Sequence, residues 1–162
     1  AVARPWGRKF LGYSVNNRKQ TKIRIAPESL KRLKGKVKTL CRQGRGQSIQ
    51  TTIQRLNPVL RGWMNYFQYS QGLRAIEEMD VWVRHRLRDI IWRQWKRPKT
   101  RESRLRALGL DAHRAWKSSV NGRGPWWNAG ARHMVSACPP KYFTQLGLVS
   151  LVVTYQNLQR AI

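Results

Sequence analysis

The chain has 162 residues, 41% of them hydrophobic and 25% charged, which excludes a disordered basic tail and suits one folded domain or two small ones. Its 33 Lys and Arg against seven Asp and Glu leave a formal charge of +26, so a compact body repels itself and a polyanion is the expected partner. Eight Trp and five Tyr favour nucleic acid over a membrane surface or an acidic protein, because aromatic faces stack on unpaired bases.

FLGYSV at 10–15 and TKIRI at 21–25 are alternating and β-prone, and NNRKQ between them predicts a hairpin. A lone two-stranded hairpin is marginal in water, so it should lean on the next helix or on a further sheet. Pro27 opens a helix that Gly44 closes. Leu30, Leu33, Val37 and Leu40 form its core stripe, while Lys31, Lys38 and Arg42 make a basic ridge on another side. QGRGQS at 43–48 reads as a linker. The next amphipathic run, through Ile49, Ile53, Leu56, Leu60, Met64 and Phe67, contains Pro58, which predicts a kink or two helices meeting at Asn57. Arg61, Trp63 and Tyr66 decorate it, with the aromatics expected in the core.

Residues 81–101 read VWVRHRLRDIIWRQWKRPKTR and belong to a third helix, from about Ile76 to Arg97, stopped by Pro98. Glu77, Glu78 and Asp80 fall in its first turns, where the macrodipole favours them. At ~100° per residue, Val83, Leu87, Ile90 and Ile91 share the core face. Trp92 points almost the opposite way, with His85, Arg88, Trp95 and Lys96 within reach around the cylinder. Two readings of this second stripe stay open: a surface for nucleic acid, or indoles buried against the C-terminal segment under arginine planes. KTRESRLRALGL at 99–110 predicts a short helix ending at Gly109, and DAHRAWKSSV at 111–120 another. NGRGPWWNAGAR at 121–132 reads as a loop carrying a Trp pair, followed by a last packed segment over 133–159.

Little in the chain signals chemistry. The only adjacent acidic pair is Glu77–Glu78, and the converging carboxylates that would hold two cations about 4 Å apart cannot be assembled. His85, His113 and His133 lack metal-ligand spacing. Cys41 and Cys138 have no CxxC partner, which signals neither zinc nor a disulfide and points to a reducing compartment. No catalytic residue is assigned. The longest apolar run, LGLVSLVV at 146–153, is too short to span a bilayer, so no membrane partner is expected. The opening AVARPWGRKF has neither a secretory apolar region nor an initiator Met, as a fragment of a longer parent would.

LNPVLRGWMNYFQ at 56–68, DVWVRHRLRDIIWRQWKRPKTR at 80–101 and RLRALGL at 104–110 resemble the maturase-specific domain of group II intron reverse transcriptases. RKFLGYSV at 8–15 is similar to the last segment of the palm in those enzymes, and residues 124–151 resemble the C-terminal end of bacterial members lacking an endonuclease. The resemblance implies a mainly α-helical thumb, or domain X, over residues 26–110. A β-hairpin left from the palm would occupy 1–25, and a C-terminal extension packed on the helices 111–162.

By function, the resemblance implies an RNA-binding maturase module in a bacterial cytoplasmic ribonucleoprotein. It would bind group II intron RNA to promote splicing and support the template-primer RNA/DNA duplex during reverse transcription. The fingers and most of the palm, with its YADD-type motif, are absent from these residues, so polymerase activity would need them from the same or a separate chain. Mg is expected only in that palm and in the intron ribozyme, with no cofactor in this chain. A sequence-blind basic surface should recognise RNA by shape, phosphate and 2′-hydroxyl, and arginine's planar fork suits this. The residues expected at RNA are Arg84, Arg88, Trp92, Lys96, Arg97, Lys99, Arg101 and Arg104, with Lys31, Lys38 and Arg42 as a second ridge. A general basic scaffold of a ribonucleoprotein, without intron specificity, is the alternative.

Overall fold

The computed structural model describes residues 8–17 and 19–162. Residues 1–7 of the expected palm segment and Arg18 of the expected turn lie outside the described residues.

The chain opens as an antiparallel meander of β1 (Lys9–Phe10), β2 (Tyr13–Val15) and β3 (Ile23–Ile25). FLGYSV is therefore not one strand. Leu11 (φ 49°) and Gly12 (φ 81°) turn it back on itself so that Phe10 pairs with Tyr13. Two successive left-handed residues make the tight turn whose twist matches the flanking strands. The expected hairpin between β2 and β3 is present, with Tyr13 opposite Ile25 and Val15 opposite Ile23. As expected for so small a sheet, it leans on its neighbours: the Gly12 carbonyl accepts from Ser29 Oγ at 2.9 Å, and the Tyr13 ring packs on Phe67 at 5.0 Å.

Helices make up the rest: α1 (Pro27–Gln43), α2 (Ile49–Tyr66), α3 (Leu73–Gln94), α4 (Pro98–Ala107), α5 (Ala112–Ser119), α6 (Pro125–Gly130), α7 (Arg132–Ala137), α8 (Pro140–Gln145) and α9 (Leu151–Ala161). In α1, Pro27 sits where a missing N–H is harmless, and Leu33, Val37 and Cys41 are buried at four-residue intervals. Leu30 and Leu40 flank that stripe, half-buried. Ser48 caps α2 by accepting from the Thr51 N–H.

Pro58 does not divide α2, which continues through it to Tyr66. Pro58 and Gln54 lie on the exposed face, where water can take up the carbonyl that a proline leaves without its N–H. Asn57 instead ties two distant segments, donating to the Gly147 carbonyl at 2.8 Å and accepting from the Val149 N–H at 3.0 Å.

Helix α3 begins at Leu73, earlier than its sequence suggests, so Asp80 lies beyond its first turn. Its carboxylate serves another helix: Oδ1 accepts from the Leu151 N–H at 2.8 Å, and Oδ2 from Ser150 Oγ at 2.7 Å and the Val152 N–H at 3.2 Å, at the start of α9. Gly109 (φ 98°) ends α4 with a Leu110 N–H to Leu105 carbonyl bond, and both leucines are buried. The segment expected as a glycine-rich loop forms α6, with Pro125 in its first turn.

The core lies between α1, α2 and α3, where Leu33, Val37, Ile53, Leu56, Leu60, Ile76, Val83 and Leu87 are enclosed. Helix α6 packs along α3, and α9 lies against both α2 and α3. The third helix is thus covered on more than one side. The architecture is mainly α with a short β element first, as the sequence predicts.

Candidate nucleic-acid interface

The faces of α3 decide what the chain can present. Val83, Leu87, Ile90 and Ile91 are buried as expected, but so are Arg88 (5% exposed) and Trp92 (1%) on the other side. Arg88 Nε donates to the Ala129 carbonyl at 2.9 Å and Nη1 to the Cys138 carbonyl at 3.3 Å. Burial lowers its pKa from the ordinary guanidinium value. Trp92 is enclosed by Trp95, His133 and the Arg101 guanidinium, whose Cζ sits 4.6 Å from the ring centre. Of the two readings of this stripe, burial against the C-terminal segment is the one adopted. Arg88 and Trp92 present no surface to a ligand in this arrangement, which corrects the expectation for both.

Two further candidates are engaged within the fold while remaining partly accessible. Arg101 Nε donates to the Trp95 carbonyl at 2.7 Å, and Arg84 sits 3.9 Å from Asp80. Lys96, Arg97, Lys99, Arg104, Lys31, Lys38 and Arg42 are exposed.

The fold gathers some of these cations and separates others. A narrow cleft of about 50 Å³ between α1 and α3 is lined by Lys38, Arg42, Arg45, Arg86, Asp89 and Arg93. A wider hollow of about 720 Å³ shares Arg45, Ile90 and Arg93 with it and extends past Lys96 and Arg101 to Pro125. Lys38 and Arg42 of the second ridge thereby join Lys96 and Arg101 in one trough, with seven cations against the single carboxylate of Asp89. Arg104 and Lys99 line other hollows. Lys31, Arg84 and Arg97 line none of these.

Arg45, Arg86 and Arg93 belong to the trough although sequence reasoning passed over them. Arg45 stands in QGRGQS, which is a pinned turn rather than a loose linker. The Gly44 N–H bonds the Leu40 carbonyl at 2.9 Å, and the Gln47 carbonyl accepts from Gln94 at 2.8 Å. Arg93 Nε contacts Asp89 Oδ2 at 3.1 Å and Arg86 Nη1 approaches it at 3.8 Å, spacings of four and three residues that were readable as ion pairs.

Aromatic rings hold Arg86 in place. Its Cζ lies 4.6 Å from the Trp126 ring and 5.5 Å from the Trp82 ring. Trp126 in turn stacks on His85 with centroids 3.8 Å apart, while His85 Nε2 donates to the Trp126 carbonyl at 2.9 Å. Gly130 permits this close approach of α6, since a Cβ there would stand 2.8 Å from His85 Cε1. Burial pushes the Cys41 thiol beside the cleft up to about 11, so it stays neutral and leaves the positive field intact.

Among the described residues, no three of His, Cys, Asp and Glu come together as a metal site, and no described helix is long and apolar enough to cross a membrane. What the geometry defines is a strongly basic helical module with an open cationic trough. Residues 30–109 match the family model described as the group II intron, maturase-specific domain. The chain carries that domain, and it contains every charged residue of the trough. No curated protein matches the chain.

Proposed function

We propose that this protein is an RNA-binding maturase module that binds group II intron RNA and stabilises its spliced-competent fold, the ribozyme itself supplying the chemistry. The observation that carries the reading is the cationic trough between α1, α3 and α6, whose charged residues all lie within the segment matched to the maturase-specific domain. Phosphates seated there relieve the self-repulsion of a body with a formal charge of +26 and release condensed counterions.

In the same reading the helices support a template-primer duplex when fingers and palm are supplied by the same or another chain. Its setting is a ribonucleoprotein of the bacterial cytoplasm.

Titration of the purified chain against a folded group II intron RNA, with excess unrelated structured RNA and across a salt series, tests this. A preference for the intron that survives moderate salt is expected. Affinity should fall by several orders of magnitude if roughly six to ten phosphates are engaged. Equal, salt-labile binding to both RNAs would replace this reading with that of a general basic scaffold.

A further inference from the structure

We infer that the apolar hollow between the β1–β2 turn, α1 and α2 takes one unpaired RNA base, whose flanking phosphates pair with Arg32 and Lys36. The inference rests on the RNA-binding reading above and adds a second contact site, which shares none of its described lining residues with the trough.

The hollow has a volume of about 580 Å³, within the range of ~300–1,000 Å³ that ligand pockets occupy. Helix α2 lines it with Pro58, Val59, Gly62, Trp63 and Tyr66. Unlike Trp92, these groups reach solvent: Pro58 and Gly62 are exposed, Trp63 is half-buried and Tyr66 is 53% exposed. The Tyr66 ring is nonetheless fixed. Its hydroxyl donates to the Leu11 carbonyl at 2.9 Å, and Phe67 meets it edge-on at 4.8 Å. Trp63 leans on the same Phe67 at 4.9 Å. Two aromatic side chains held in place yet accessible suit a stacking base, because little rotamer freedom is left to lose on binding.

Gly62 is a second, independent sign of a ligand. A glycine inside a helix destabilises it relative to alanine and so calls for a reason. The packing provides none: a Cβ at Gly62 would meet no atom of the described residues within 4 Å. Midway between Pro58 and Tyr66 at four-residue spacing, it lies at the centre of the face that lines the hollow. Bare backbone there leaves room for a flat ring to come close.

Charge decides what carries the ring. Arg32 and Lys36, four residues apart on α1, line the hollow and are exposed, and no carboxylate among the described residues lines it. Glu28, one turn before Arg32, is paired with Lys9 at 3.3 Å. An apolar side chain of another polypeptide would fill the volume but leave both cations without a counter-charge, whereas a nucleotide brings a ring and phosphates together. Paired bases keep their faces inside the stack and show only their edges, so the base that enters is an unpaired one.

The test uses the full chain and one RNA duplex prepared fully paired, with a single bulged nucleotide, and with an abasic residue in the bulge. The abasic form keeps the phosphate and the local flexibility and lacks only the base. The bulged RNA should bind about tenfold tighter than either of the others, as suits one stacked base. Gly62→Leu, which fills the hollow from a helical position with open space around it, should melt no lower than the parent and bind all three RNAs alike. Gly35→Leu is the control, a helical glycine of α1 that also faces open space but lines no part of the hollow, and it should keep the preference. Equal binding of bulged and abasic RNA by the parent protein would overturn the inference without any variant. A preference that persists in Gly62→Leu, or that disappears in Gly35→Leu as well, would exclude the hollow as its source and leave that surface to another polypeptide. Failure of the parent to bind any of the three would remove the RNA-binding reading itself, and this inference with it.

Discussion

The guanidinium of Arg88 donates through Nε to the carbonyl oxygen of Ala129 at 2.9 Å, bridging α3 and α6 out of reach of solvent. An arginine that sequence position alone would send to a phosphate is spent on the protein's own backbone. Arg88→Met, similar in length and apolar, should leave the Ala129 and Cys138 carbonyls without their donor. The expected cost is about 2–4 kcal/mol, measured as a lowered urea midpoint. The folded fraction should bind RNA within about twofold of the parent, well under the tenfold that 1.4 kcal/mol represents. A variant of undiminished stability with weakened binding would show that Arg88 reaches RNA after all.

Trp92 is enclosed at the junction of α3, α4 and α7, with Arg101 over one face and His133 nearby. Trp92→Ala should therefore cost about 3–5 kcal/mol, whereas Trp92→Phe keeps most of the packing and should cost less. Calorimetric melting of both variants checks the order. Near-neutral stability of the alanine variant would contradict the enclosure.

His133 gives stability a pH dependence. Asn128 Nδ2 donates to the Arg123 and Gly124 carbonyls, so its Oδ1 is the acceptor that faces His133 Nε2 at 3.0 Å. Burial first, and then the Arg114 charge, lower the His133 pKa from 6.5. The unfolded chain therefore binds a proton more readily than the folded one. The contribution is complete above the unfolded value of 6.5 and is lost as pH falls through the depressed folded value. Denaturation midpoints should decrease between about pH 7.5 and 5.5, below the histidine reference value, and His133→Gln should flatten that slope. An unchanged slope in the variant would assign the dependence to other groups.

Arg45→Ala should weaken RNA binding at low salt and reduce the slope of log affinity against log salt by about one, the signature of a lost phosphate contact. Arg74 is the control. It is exposed and paired with Glu78 at the opposite end of α3, about 28 Å from Arg93 at 1.5 Å per residue. Arg74→Ala should leave the slope unchanged, and equal effects of the two variants would dissolve the trough into general surface charge.

Punctuation and periodicity made much of this fold readable. Pro27, Gly44, Pro98 and Gly109 mark boundaries for local steric reasons, and Val83, Leu87, Ile90 and Ile91 lie on one helical face whatever the surroundings. The same arithmetic gave the direction of Trp92 but not what covers that direction. Arg101 of α4 and His133 of α7 lie there, and α7 arrives from about forty residues further on. The alternation in FLGYSV places Leu11 within a strand, a left-handed leucine is rare, and only the pairing of β1 with β2 reveals the turn. For the trough, the ridge of Lys38 and Arg42 and the later Lys96 and Arg101 were visible as separate clusters. Their union depends on how α1 packs against α3, which no single helix encodes.

The polar clasps across the end of the matched segment bear on how the molecule comes apart. Asp80 holds the start of α9, Asn57 holds Gly147 and Val149, Arg88 holds α6 and the end of α7, and Tyr155 reaches the Ser70 carbonyl at 2.7 Å. A piece cut at residue 109 would keep the charges of Asp80 and Arg88 but lose the hydrogen-bond partners described for both, and would uncover the side of Trp92 that faces His133. The boundary drawn by family resemblance is therefore not a boundary of cooperativity. The helices before and after residue 109 should melt in one transition, with amides in α3 and α9 exchanging hydrogen through the same global opening.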